Sequence, residues 1–235
     1  MNWKEKLPVE IIGKRLYLRS RLEAEGREIF KCLQTKEAKR IIEKFVPIQK
    51  RRAVTDQYFL VKLAYWLNLP KAKPMRILDI GSRYGQWPFL CRAYGHDAIC
   101  TDLPEVLNRP EALEIRSIFN IPTMPLKIET LKPIGDLNGK YDLITGLRTR
   151  FHSTKPKETG FDAETHWGIE EWDYFLKDLV QHINPGGQIF FILNRLQEKE
   201  KGGGAPAELR AYFRTRGALH KGMYLWFKKV EPLRS

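Results

Sequence analysis

Residues 75–87 read MRILDIGSRYGQW, from Met75 to Trp87. The apolar run Ile77-Leu78-Asp79-Ile80 breaks into Gly81-Ser82-Arg83-Tyr84-Gly85. A short apolar run closed by glycine predicts a buried parallel strand entering a tight loop. Over Gln86 to Tyr94, Trp87, Leu90, Cys91 and Tyr94 recur at helical spacing, which predicts a helix with one apolar face. Strand, glycine loop and helix open a nucleotide-binding α/β unit. The glycines let a ligand approach the backbone, and the helix N-terminus offers unpaired N–H groups. The dinucleotide fingerprint G-x-G-x-x-G is not met, because Ser-Arg-Tyr separates Gly81 from Gly85. The phosphate loop G-x-x-x-x-G-K-[ST] fails as well, since no lysine follows Gly85.

The stretch resembles the first motif of class I S-adenosylmethionine (SAM) methyltransferases, an acidic residue followed by G-x-G-x-G. Asp79, Gly81 and Gly85 match, and Arg83 stands where the middle glycine belongs. The resemblance implies that Asp79, Gly81, Ser82, Arg83 and Gly85 contribute to a SAM site. Ala98 to Thr101 reads as a second strand ending at Asp102, 23 positions past Asp79. A carboxylate there, followed by Leu103, lies where it accepts hydrogen bonds from both hydroxyls of a ribose. Asp102 before Leu103-Pro104-Glu105 is equally a good helix N-cap, and the two roles are compatible. Leu113 to Ile118 reads as a third strand. In the family pattern Asn120 would then reach the adenine amino group; a turn-forming asparagine is the alternative.

Lys140 to Gly146 reads as the fourth strand and resembles the family's fourth motif. Gly146 and Leu147 fall nearest the pocket, because open parallel sheets bind ligands at strand C-terminal ends. Glu170 to Ile183 reads as an amphipathic helix, Asn184-Pro185-Gly186-Gly187 as a turn, and Gln188 to Leu193 as a fifth strand. That helix-turn-strand also resembles the family. Between them, Leu147 to Trp167 form a loop of about 20 residues, a length that usually signals function or disorder. His152 is its candidate general base, since imidazole takes a proton near neutral pH. Arg148 and Arg150 suit an anionic substrate group, or are solvated surface arginines; His166 and Trp167 would line the same site.

The chain has 235 residues and is 43% hydrophobic, ample for one α/β core and unlike a disordered protein. The net charge of +13 is uneven: residues 1–76 hold 19 Lys/Arg against 8 Asp/Glu. That localised excess suggests an anionic partner, RNA or a phosphorylated substrate, or else a solvated helical face. Its densest point is Lys50-Arg51-Arg52. The segment VEIIGKRLYLR at 9–19 is expected to form a hairpin or edge strand, Arg21 to Phe45 one or two helices, and Asp56 to Leu69 another. Residues 1–74 would thus form a basic helical cap on a SAM-binding domain spanning 75–235. Near the end, Ala205 to Arg216 reads as a helix and Met223 to Lys229 as a strand, although the family closes with an antiparallel hairpin.

Cys32, Cys91 and Cys100 are odd in number and lack C-x-x-C spacing, so reduced thiols in the cytoplasm are expected. The five histidines show no metal-ligand spacing, and no run is apolar for the length of a membrane span. The fold class expected is α/β, a Rossmann-like, mostly parallel seven-stranded sheet. The function implied by the resemblance is methyl transfer from S-adenosyl-L-methionine to an oxygen or nitrogen of a small molecule or saccharide. The alternatives are an RNA methyltransferase that uses the basic N-terminal region, and a non-catalytic binding protein on the same fold.

Overall fold

A computed structural model describes residues 9–46, 57–149, 151, 167–193 and 206–230. Seven strands form one sheet: β1 (Arg76–Ile80), β2 (Asp97–Asp102), β3 (Thr123–Pro125), β4 (Tyr141–Thr149), β5 (Ile183–Leu193), β6 (Leu219–Lys221) and β7 (Tyr224–Phe227). Their spatial order is β3-β2-β1-β4-β5-β7-β6. The first five run parallel, while β7 is antiparallel to both β5 and β6. The chain leaves β1 to build one half of the sheet, then returns beside β1 with β4. That reversal opens a crevice beyond the C-terminal ends of β1 and β4, where open parallel sheets bind ligands.

Eight α-helices among the described residues cover the sheet: α1 (Val9–Ile29), α2 (Lys36–Phe45), α3 (Gln57–Trp66), α4 (Gln86–Ala93), α5 (Pro104–Leu107), α6 (Pro110–Phe119), α7 (Ile169–Gln181) and α8 (Ala207–Thr215). Alternate strand residues feed two cores. Ile77, Leu143, Phe190 and Ile192 join the core shared with α2, α3 and α4. Leu78, Ile144, Ile189 and Phe191 join the core beneath α7 and α8. Period-2 alternation with both faces apolar is what a sheet covered on both sides requires. Leu22, Phe30, Ile41 and Ala64 from the N-terminal helices lie in the first of these cores. The carboxylate of Glu25 on α1 ties this region together, accepting from Tyr65 at 2.9 Å and from Tyr94 at 2.7 Å.

Three sequence expectations are corrected. Residues 9–19 are the start of α1 and not a hairpin. The helix runs unbroken to Ile29, and its 21-residue length absorbs the roughly 1 kcal/mol cost of Gly13. Residues 113–118 belong to helix α6, not to a third strand. Ala112, Ile115, Arg116 and Phe119 are its buried residues, spaced three and four apart, and Pro110 occupies its first turn. The third strand is instead the three-residue Thr123–Pro125. The closing hairpin is complete: β6 precedes β7 across a turn at Gly222, where φ is +59°.

Candidate functional site

β1 delivers its chain into a loop whose backbone alternates through the left-handed region at Gly81 (φ +72°), Arg83 (φ +50°) and Gly85 (φ +80°). A side chain at Gly81 would meet the Thr149 hydroxyl at 2.9 Å, and one at Gly85 would meet Ile121 Cδ1 at 2.0 Å. Both positions therefore need glycine for space as well as for conformation. Arg83 accepts the left-handed backbone, and its guanidinium lies 4.5 Å from the Tyr84 ring centroid. The loop is fixed by Ser82, whose N–H donates to the Thr101 carbonyl at 2.8 Å and whose hydroxyl donates to the Asp79 carbonyl at 2.7 Å.

Asp79 lies beneath this loop, only 2% exposed. Its Oδ1 accepts from the Thr145 hydroxyl at 2.7 Å, and Thr145 accepts from Trp87 Nε1 at 3.0 Å. Burial pushes the Asp79 carboxyl up to about 7, against the hydrogen bonds from Ser82 and Thr145. Asp79 supports the loop from below and does not line the cleft above it.

Asp102 ends β2 opposite the loop. Its Oδ2 accepts the Arg83 N–H at 2.9 Å and its Oδ1 accepts the Leu103 N–H at 2.8 Å. Each carboxylate oxygen carries two acceptor positions, so one remains on each for a further donor. Burial raises the Asp102 pKa, opposed by these backbone N–H groups and by the charges of Arg116 and Arg83. The Arg116 side chain is buried and donates to the Leu107 carbonyl at the end of α5.

A cleft of about 550 Å³ lies above Asp102, within the usual range for small-molecule sites. Its floor is Ile80, Gly81 and Asp102. Leu103 and Val106, and across from them in sequence Leu126 and Ile128, supply apolar lining. Arg148 and Thr149 at the end of β4, then Phe151 and Trp167, line it as well; Arg83, Arg109 and Lys127 add positive charge and Glu105 a negative one. The cleft thus combines a carboxylate that can take paired hydroxyls, apolar surface for a planar base, and an aromatic end.

The sequence-derived residues distribute as follows. Gly81, Arg83, Asp102, Leu103, Arg148 and Trp167 line one cleft. Asp79, Ser82 and Gly85 lie in or under the loop that shapes it. Gly146 and Leu147 sit in β4 just before the lining residues, with Gly146 packed so that a Cβ would meet Phe191 at 2.8 Å. Asn120 is the left-handed C-cap of α6 (φ +45°), a turn-forming role, and does not line the cleft. His152, Arg150 and His166 lie outside the described residues. Ile80, Glu105, Val106, Arg109, Leu126, Lys127, Ile128, Thr149 and Phe151 line the cleft too, and the sequence does not single them out. With α6 read as a strand, the residues that truly follow β3 had no place at the sheet's C-terminal edge.

No group of three His, Cys, Asp or Glu side chains among the described residues could hold a metal ion. Cys32 is half-buried, and Cys91 and Cys100 are buried; all three are free thiols. No helix among the described residues is long and apolar enough to cross a membrane.

No protein-family model matches the chain, and no curated protein matches it by sequence. Solved structures do. The chain is similar to a ribosomal protein L11 methylase from Lactobacillus delbrueckii subsp. bulgaricus, at 19% identity over 73% of this chain and 75% of that one, with a TM-score of 0.40. It is also similar to a SAM-bound amino pentose methyltransferase from Micromonospora echinaspora, at 12% identity over 74% and 90% of the two chains, with a TM-score of 0.44. The strand order with its antiparallel β7, and the glycine loop at the point of reversal, stand independently of these likenesses: the chain has a Rossmann-like α/β fold.

Proposed function

We propose that the protein is a SAM-dependent methyltransferase acting on an oxygen or nitrogen of a small molecule. The observation that carries this reading is the placement of Asp102. Its two oxygens are oriented by the Arg83 and Leu103 N–H groups and retain acceptor capacity toward a cleft sized for a nucleoside ligand. Gly81 gives the close approach, Asp102 holds the ribose hydroxyls, and Leu103, Val106, Leu126 and Ile128 enclose the adenine. When bound, SAM would supply an electrophilic methyl group whose bond to the sulfonium sulfur breaks, its electron pair staying on sulfur, as the acceptor atom bonds to the carbon. The chain's contribution is alignment of the two reactants, and the proton of an O–H or N–H acceptor would pass to solvent as the new bond forms. Phe151 and Trp167 form the dry end of the cleft, their ring centroids 5.1 Å apart.

Calorimetric titration with SAM and S-adenosylhomocysteine, with NAD as a control, tests the reading. Micromolar binding of both SAM-type ligands is expected, with Asp102→Ala at least about tenfold weaker. Folded protein that binds neither, or binds NAD instead, would overturn it. The positive charge ahead of β1 supports a second reading, methylation of RNA, which requires an affinity for RNA that falls steeply with salt.

A further inference from the structure

Arg148 occupies an unusual backbone position. In the β4–β5 ladder Leu147 pairs with Ile192 and Thr149 with Leu193, so Arg148 is an extra residue with no partner of its own. It is a β-bulge, and its φ is +61°. A non-glycine residue in that region is strained and persists only where its surroundings hold it.

The bulge decides where the side chain points. Strict alternation along β4 would send residue 148 to the same face as Gly146, whose Cβ direction meets Phe191 in the core beneath α7. The bulge breaks the alternation. The Arg148 guanidinium instead lies 5.5 Å from the ring centroid of Phe59 on α3, a residue packed against the opposite core. Bulges at strand ends beside ligand sites commonly re-aim one side chain in this way. Arg148 is exposed, lines the cleft and has no carboxylate partner among the described residues. The same bulge lets the next residue, Thr149, donate its hydroxyl to the Ile80 carbonyl at 2.8 Å, which pins the turn. A guanidinium beside an aromatic ring, with no carboxylate partner among the described residues, is suited to a planar or tetrahedral oxyanion.

We propose that Arg148 binds a carboxylate or phosphate of the methyl acceptor, and that the apolar ring of that acceptor lies against Phe151 and Trp167. The acceptor is then a small aromatic acid. This rests on the methyltransferase reading, which leaves the Asp102 end of the cleft to the cofactor.

The test uses the full chain saturated with S-adenosylhomocysteine, titrated with benzoate, phenyl phosphate and benzamide. Benzamide keeps the ring and the planar group of benzoate without the charge. At least one of the two anions should bind about tenfold or more tighter than benzamide, and whichever does identifies the oxyanion. That preference should vanish in Arg148→Gln and in Arg148→Gly, while the dissociation constant of S-adenosylhomocysteine changes by less than about threefold. Arg148→Gly suits the positive φ and keeps the fold, so a loss there reports the side chain. Benzamide binding as well as both anions, no ring ligand binding at all, or a preference that survives in the variants would overturn the proposal. So would weakening of S-adenosylhomocysteine in parallel with the anion, since Arg148 would then serve the cofactor's own carboxylate. If S-adenosylhomocysteine does not bind the native chain, the methyltransferase reading fails by itself. The same anion comparison without it still decides whether Arg148 forms an anion site.

Discussion

Thr145 and Asp79 are direct partners across the β1–β4 ladder, and the Thr145 hydroxyl donates to the Asp79 carboxyl at 2.7 Å. This places an ionisable group in the floor of the glycine loop with almost no access to water. The donor bond reduces the cost of ionising Asp79 without cancelling it, and the carboxyl is held up to about 7. An acid whose folded pKa lies above its unfolded value contributes stability below the unfolded pKa, and that contribution is lost as pH rises through the folded pKa. The window here runs from about 4 to about 7.

Asp79→Asn should therefore be more stable than the native chain in mildly alkaline solution, by up to roughly 4 kcal/mol, and little different near pH 4. The amide oxygen still accepts from Thr145. Urea unfolding of both proteins across this range measures the difference. Equal stability of the two above about pH 8 would mean that Asp79 ionises without penalty.

His96 works in the opposite direction. Its Nδ1 accepts the Met75 N–H at 3.2 Å, and its Nε2 lies 3.0 Å from the Leu69 carbonyl, an arrangement that requires the neutral ring protonated at Nε2. Burial lowers its pKa below the ordinary 6.5. A base lowered in the folded state contributes stability above the unfolded pKa, and that contribution is lost as pH falls through the folded value. Acid should therefore weaken the native chain below about pH 6.5, and His96→Phe should flatten that limb. The variant should also lose about 1–3 kcal/mol at neutral pH, because the Met75 N–H is left without its acceptor while the Leu69 carbonyl keeps only the Ala72 N–H.

The glycine loop makes a paired prediction. Gly85→Ala places a Cβ 2.0 Å from Ile121 Cδ1 at a φ of +80°, so Ile121 must swing away and left-handed strain remains. A loss of about 1–3 kcal/mol is expected. Arg83→Gly, two residues earlier, removes strain at φ +50° and a guanidinium resting on Tyr84. It should leave the melting temperature within a few degrees of native, since relief of strain is offset by a more flexible unfolded chain. Thermal melts of both variants compare the two. An Arg83→Gly loss as large as that of Gly85→Ala would mean that the Arg83 side chain holds the loop.

These contrasts show what was legible in the sequence. The run through Gly81 and Gly85 announced itself because a buried strand ending in glycine has few other uses, and Asp102 followed from its distance along the chain. The left-handed Arg83 was visible as a departure from the motif, but how it is accommodated was not. Residues 113–118 misled because the alternation Leu113-Glu114-Ile115-Arg116 is too short to tell a strand from a helix. Pro110 at the start and Asn120 at the end were the overlooked signals. That one error displaced Leu126, Lys127 and Ile128 from the site. The Arg148 bulge was illegible for a different reason: register belongs to a strand pair, and no single strand encodes it.

The helices ahead of β1 give the last prediction. Leu22, Phe30, Ile41, Val61 and Ala64 are buried in the same core as Ile77, Leu90 and Phe190 of the sheet and its first crossover helix. Glu25 adds two tyrosine donors from α3 and the end of α4. Removing residues 1–74 would strip that face of the sheet and expose its apolar side chains to water, at a cost of about 25 cal/mol per Å². A chain starting at residue 75 should therefore fail to fold, and the full chain should unfold in one transition. Far-ultraviolet circular dichroism and tryptophan fluorescence should trace superimposable urea curves. Glu25→Ala should shift both curves together by about 1–2 kcal/mol, having lost a carboxylate that two hydroxyls share. Two separated transitions, or a stable 75–235 fragment, would make the basic helices an independent module docked on a self-sufficient sheet.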